Sequence, residues 1–308
     1  MSTISIIFPL LFMASLGYLL TAKGPFTKEH IAGISLFTFY ISIPAFLFIN
    51  MYQADLRTSF DIAVLSSFYL PVIAVFGLSA GFYYWLTPKD ADRKGKSAVY
   101  ALGCSYSNTI LVGLPVIVGA LGQQMMGKVF AVITFHSALL FSLTFIFSKK
   151  LNNDGAGAWK FSKGIIFNPI VLSISAGLIL NLFEFPLDIN LFNSLHLLSE
   201  PALSCALFVL GANLSFYKIA KDWHLALIAS AVKLLLLPLC VYGVGRFVFS
   251  VEGDPLVLLV LLSASPLGVN AYLVAMQVQA QQVVIASTVV MSTVLSVFTM
   301  SLWLTLLA

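Results

Sequence analysis

Apolar residues run through this chain in blocks too long for a soluble core. Ten blocks can be delimited, at 3–20, 31–51, 62–86, 98–121, 129–148, 165–183, 195–216, 224–249, 255–278 and 283–307. A helix rises 1.5 Å per residue, so roughly 20 apolar residues cross the hydrocarbon layer of a bilayer. The pattern therefore predicts an all-α integral membrane protein with ten transmembrane helices. The polar connections are short. The longest runs from Lys149 to Lys163, carries Asn152-Asn153-Asp154-Gly155-Ala156-Gly157, and reads as a flexible linker.

The blocks also repeat. Pro9 is followed eight positions on by Gly17-Tyr18-Leu19-Leu20, and Pro169 eight positions on by Gly177-Leu178-Ile179-Leu180. The second block has Pro44-Ala45 and ends Ala54-Asp55-Leu56; the seventh has Pro201-Ala202 and ends Ala212-Asn213-Leu214. Pro71 then Gly77 in the third block match Pro238 then Gly243 in the eighth, and the fourth and ninth blocks are both interrupted by Pro and Gly. The order is shared, so two five-helix halves are expected, 1–148 and 165–308, joined by a linker at 149–164. Five is odd, so the second half enters from the opposite face. The result is an inverted repeat, a frequent plan of secondary transporters.

Composition agrees with this solvent. Of the 308 residues, 60% are apolar and 9% charged, against roughly 25% charged in soluble domains, and the mean hydropathy is +1.00. The net charge of +4 is too small to point to nucleic acid. Numbering the connections alternately puts twelve Lys and Arg residues on one side (Lys23, Lys28, Lys89, Arg93, Lys94, Lys96, Lys149, Lys150, Lys160, Lys163, Lys218, Lys221) and three on the other (Arg57, Lys128, Arg246). Basic loops stay cytoplasmic. The linker is therefore expected inside, and both termini outside, in a cell membrane. Cys104, Cys205 and Cys240 fall in apolar blocks and read as small buried hydrophobes, not disulfides or metal ligands.

The candidate chemistry lies at the two interruptions. The fourth block reads Tyr106-Ser107-Asn108-Thr109-Ile110-Leu111-Val112-Gly113-Leu114-Pro115, the ninth Ser263-Ala264-Ser265-Pro266-Leu267-Gly268-Val269-Asn270. Proline removes an N–H and crowds the preceding turn; glycine tolerates the unwound backbone that follows. The freed backbone groups must be buried in protein or line a cavity. Where a helix restarts, its N-terminus offers unpaired N–H groups and partial positive charge, fit for a carboxylate. Asn108, Thr109, Ser265 and Asn270 add side-chain donors, and Gly113, Pro115 and Pro266 shape the breaks. A pair of ordinary proline kinks is the competing reading of this pattern.

Lys233 lies inside the eighth block, where a lysine costs on the order of 2.5–3.5 kcal/mol. It reads as a counter-charge for an anion, or as a stand-in for a coupling cation, or as a lysine that snorkels to the cytoplasm. His136 reads as a proton relay or as a hydrogen-bonded interior histidine. Glu200, before Pro201, reads as a first-turn carboxylate that satisfies its own helix terminus.

The run from Asn108 to Pro115 resembles the motif of the auxin efflux carrier family, which includes plant PIN-type exporters and bacterial permeases for malate and malonate. Leu16-Gly17-Tyr18, Ile43-Pro44-Ala45, Lys233-Leu234 with Leu237-Pro238, and Ala286-Ser287-Thr288 extend the likeness along the chain, towards the bacterial branch. The resemblance implies a fold similar to the bile-acid sodium symporters. Helices 1, 2, 6 and 7 would form a scaffold. Helices 3–5 and 8–10 would form a moving transport domain, with helices 4 and 9 crossing beside the substrate. It implies that Asn108 contacts the substrate carboxylate, that Pro115 and Pro266 mark the crossover, and that helices 2 and 7 join a homodimer. The chain departs from PIN-type carriers at Asn270, where they have a further proline, and in lacking their long cytosolic loop, which argues against auxin as substrate.

The expected function is thus a secondary or facilitative carrier of small mono- or dicarboxylates by elevator-type alternating access. A sodium-coupled symporter of bile-acid type and a non-transporting receptor are the alternatives. A coupling proton, a coupling sodium ion and downhill uniport all fit the sequence. It shows no P-loop, no HExxH and no GxSxG, so neither ATP hydrolysis nor catalysis by those motifs is expected.

Overall fold

The computed structural model describes residues 3–54, 61–87, 92–148, 169–216 and 223–307. The expected linker at 149–164, the first residues of the sixth block and Asp55-Leu56 lie outside them. Among the described residues all regular elements are helical. They are α1 (Thr3–Ala22), α2 (Lys28–Tyr52), α3 (Ile62–Leu86), α4 (Arg93–Ser105), α5 (Leu114–Leu121), α6 (Met126–Phe147), α7 (Pro169–Leu182), α8 (Ile189–Leu214), α9 (Trp223–Phe247), α10 (Asp254–Ala264), α11 (Asn270–Val278) and α12 (Gln282–Leu307). Among the described residues, seven stretches are long and apolar enough to cross a bilayer: α2, α3, the run Arg93–Leu121 that holds α4 and α5, Gln123–Phe147, α8, α9 and α12. The protein is an all-α, multi-pass membrane protein.

Helix ends follow capping chemistry, and this moves two starts ahead of their apolar blocks. Thr27 Oγ1 accepts from the His30 N–H (3.5 Å) and His30 Nδ1 from the Thr27 N–H (3.3 Å), so α2 begins at Lys28. Asp188 Oδ1 accepts from the Asn190 and Leu191 N–H groups (2.9 and 3.2 Å), so α8 begins at Ile189. Glu200 is therefore not a first-turn carboxylate. It is the C-terminal cap of the first segment of α8, Ile189–Ser199, at the Glu200-Pro201 interruption before Ala202–Leu214, with its carboxylate 3.6 Å from exposed His196.

Among the described residues, three wide turns, closed by hydrogen bonds five residues back, occur at Thr38–Ser42, Thr109–Gly113 and Val232–Leu236. Each is followed two residues later by a proline: Pro44, Pro115 or Pro238. The proline ring crowds the carbonyl four residues back and offers it no N–H, and the wider turn relieves the crowding.

Contacts divide the chain into two compact units. The first comprises Met1–Asp61, Leu114–Thr134 and Lys160–Phe216. In it α1 packs on the second half of α8 and α7 on the second half of α2. Both pairs approach closely because glycine faces backbone: a Cβ on Gly17 would strike the Phe208 carbonyl, and one on Gly177 would lie 2.6 Å from the Phe48 carbonyl oxygen. Asn181 Nδ2 donates to the carbonyls of Met51, Tyr52 and Ala54 at the C-terminal end of α2 (3.0, 2.7 and 2.8 Å).

The second unit comprises Ile62–Gly113, Phe135–Trp159 and Tyr217–Ala308. Residues 97–105 of α4 are all buried, with Tyr100 stacked on Tyr83 of α3 (4.5 Å) and its hydroxyl donating to the Leu225 carbonyl (3.3 Å). Trp303 of α12 donates its indole N–H to the Leu234 carbonyl of α9 (3.1 Å). The apolar window in Arg93–Leu121 is 89% buried, against 39–50% for the other six. This stretch is enclosed by protein, which is where a broken backbone is tolerated. Cys104 is buried here, whereas Cys205 and Cys240 are partly exposed.

Candidate functional site

Helix α4 ends at Ser105, and Tyr106, Ser107 and Asn108 leave the helical path. The Ser107 N–H, which an unbroken helix would direct to the Gly103 carbonyl, donates instead to His136 Nε2 of α6 (2.9 Å). The Asn108 N–H donates to the Pro266 carbonyl (2.7 Å), so the two unwound segments are bonded to each other. Asn108 then restarts the helix. Its Oδ1 accepts from the Leu111 N–H (3.2 Å), an N-cap bond, and its carbonyl accepts from the Val112 and Gly113 N–H groups (3.3 and 3.0 Å). That cap fixes the amide orientation and leaves Asn108 Nδ2 buried without a partner.

The second break shows one helical hydrogen bond split into two. In an unbroken helix the Leu267 N–H would meet the Ser263 carbonyl. Here the Leu267 N–H donates to Ser292 Oγ of α12 (3.0 Å), and Lys233 Nζ donates to the Ser263 carbonyl. Lys233 is wholly buried, in the wide turn of α9. It does not snorkel. Its ammonium sits on the C-terminal end of α10, the negative end of that helix dipole.

Steric fit holds the breaks together. A Cβ on Gly113 would lie 2.9 Å from Ser265 Oγ and 3.0 Å from Leu262 Cδ2; one on Gly268 would lie 2.6 Å from Cε1 of the Tyr106 ring. That ring stacks on His136 (centroids 5.2 Å apart, 10° between planes). Its hydroxyl is 3.0 Å from Ser137 Oγ.

Of the residues named from sequence, Asn108, Thr109, Gly113, Lys233, Ser265, Pro266 and Asn270 all fall in the second unit. The structure joins Asn108 to Pro266 and sets Gly113 against Ser265. Thr109 is buried and opens the wide turn; Asn270 is exposed at the start of α11. Pro115 is buried in α5, just past the boundary at Gly113, in the first unit. His136 is a hydrogen-bonded interior histidine, as one of its two readings had it. Sequence reasoning passed over Tyr106, Ser107 and Ser292. A signal for Ser292 was present: Thr288, Ser292 and Ser296, four apart, put three buried hydroxyl residues on one face of α12.

Broken helices whose loose ends are met by buried polar side chains, inside an apolar multi-pass chain, are a recurring feature of membrane transporters. Residues 2–155 and 158–304 match the membrane transport protein family, and the chain belongs to it. It is 25% identical over 306 residues to an uncharacterized transporter of Methanothermobacter thermautotrophicus, covering 98% of each chain. It is 23% identical over 309 residues to a candidate malonate transporter of Rhizobium meliloti, covering 96% of this chain and 93% of the relative. The family is one of transporters, not of enzymes.

Proposed function

We propose that this protein is a secondary carrier of small organic anions, mono- or dicarboxylates of the malonate or malate kind. Asn108 carries the reading. It caps a restarting helix with its oxygen and holds a buried amide N–H₂ that has no acceptor among the described residues. A helix N-terminus with a free donor is a place for a negatively charged acceptor. The Rhizobium relative, named for malonate, agrees with this chemistry. Asn270, exposed at the start of α11 just after the second break, adds a further polar group.

The carrier is read as ten helices in two inverted repeats. Gly17 and Gly177, which match between the repeats, each lie against a backbone carbonyl of the partner helix, Phe208 in α8 and Phe48 in α2. That correspondence supports the repeat. The two compact units support an elevator-like mechanism, with α1, α2, α7 and α8 as scaffold and the second unit as the part that carries substrate. The test is uptake of labelled malonate and malate by proteoliposomes. Wild type is expected to show saturable uptake of at least one acid, and Asn108→Ala to lose it by about tenfold or more. Folded wild-type protein that takes up no carboxylate would overturn the assignment.

A further inference from the structure

Among the described residues, four buried side-chain polar atoms have no hydrogen-bond partner: Thr21 Oγ1, Ser107 Oγ, Asn108 Nδ2 and His136 Nδ1. Three of the four belong to one cluster, since Ser107 precedes Asn108 and its N–H is bonded to His136. Natural proteins leave few buried polar groups unpaired, because each costs roughly 1–3 kcal/mol. Three together mark a place that an occupant completes.

The hydrogen bonds already made identify the occupant's chemistry. His136 Nε2 accepts the Ser107 N–H, so in the neutral ring the proton sits on Nδ1, and that atom is a donor. Asn108 Oδ1 accepts the Leu111 N–H, so the free side of its amide is the N–H₂. Ser107 contributes a hydroxyl that can donate. A carboxylate, with two oxygens and about four lone-pair sites, accepts from all three. The side chains facing His136 are Tyr106, stacked on it, Phe68, edge-on at 5.5 Å, and Tyr69 at 6.5 Å; the charged group acting on it is Lys233. None of these is an anion that would take the Nδ1 proton first.

We infer that His136 and Ser107 are substrate-binding residues, a neutral imidazole N–H and a hydroxyl that join the Asn108 amide in holding one carboxylate group. The inference rests on the anion-carrier reading and adds two residues to it. The same ring has a second task. By taking the Ser107 N–H on one nitrogen it fixes the tautomer that presents the other, so the break in α4 and the substrate donor are set by one side chain.

The two tasks separate by substitution. His136→Gln can place a carbonyl oxygen near the Nε2 position and keep the Ser107 bond, but has no N–H at the Nδ1 position. Ser107→Ala keeps the backbone N–H and removes only the hydroxyl. Malonate affinity is measured by titration calorimetry on detergent-solubilised protein, beside thermal unfolding. The expected result is a roughly ten- to hundredfold loss of affinity in His136→Gln and about a tenfold loss in Ser107→Ala, each with Tm close to wild type, as for loss of a hydrogen bond to a charged group. If His136→Gln does not fold, Ser107→Ala decides. Equal affinity in wild type and the folded variants would mean that water alone fills the cluster, and would overturn this inference while leaving the carrier standing. Failure of folded wild type to bind any carboxylate would overturn the parent reading and this one with it.

Discussion

Lys233 shows how one residue is accommodated against its own chemistry. A buried ammonium is tolerated only where its charge is met. Here a carbonyl meets it, and that carbonyl needs a donor because its own helix ends there. Charge and break satisfy each other. Lys233→Met removes the charge and its desolvation cost but leaves the Ser263 carbonyl unpaired, a loss of about 1–3 kcal/mol. The two effects oppose, so Tm is expected to move by only a few degrees. Uptake should fall at least about tenfold, because the C-terminal end of α10 then lacks its anchor. Initial uptake rates beside thermal unfolding check this; unchanged uptake would reduce Lys233 to a structural cap.

At the scale of elements, the breaks were legible because their cause is local. Proline and glycine within an apolar block announce an unwound backbone wherever they fall, and both interruptions lie where those residues predict. The partners were not legible, because the Ser107 N–H finds its acceptor 29 residues away and the Leu267 N–H 25 residues away. No spacing within a helix encodes those pairings. Helix starts failed for a different reason: Thr27 and Asp188 cap α2 and α8 ahead of the apolar blocks, and hydrophobicity alone passes over a cap. Packing at the breaks gives a paired prediction. The Tyr106 ring is held between Gly268 and His136, so Gly268→Ala should cost about 1–3 kcal/mol through overpacking. A methyl group on Gly243 in α9 would meet nothing within 4 Å, so Gly243→Ala should be neutral or stabilise by up to about 1 kcal/mol. Thermal unfolding of the two variants in one detergent checks both.

For the molecule as a whole, the skew of basic residues predicts both termini outside, and a reporter fused to Ala308 tests it. Alkaline phosphatase there should be active and green fluorescent protein dark; the reverse pattern would invert the topology. The all-α, multi-pass character was readable from apolar blocks, since bilayer thickness fixes their length. The division into two units was not readable from those blocks, because it falls after Gly113 and after Thr134, and the second point lies inside α6. Trp303 gives the second unit an optical handle. Its indole is 7% exposed and bonded to the carbonyl next to Lys233, whereas Trp85 and Trp223 are 77% and 43% exposed. Indole emission reports the polarity around the ring, so a ligand that repacks the α9 turn is expected to shift or quench the Trp303 contribution, which Trp303→Phe identifies by difference. Substrate titrations can then be followed by light alone, with no label added to the protein.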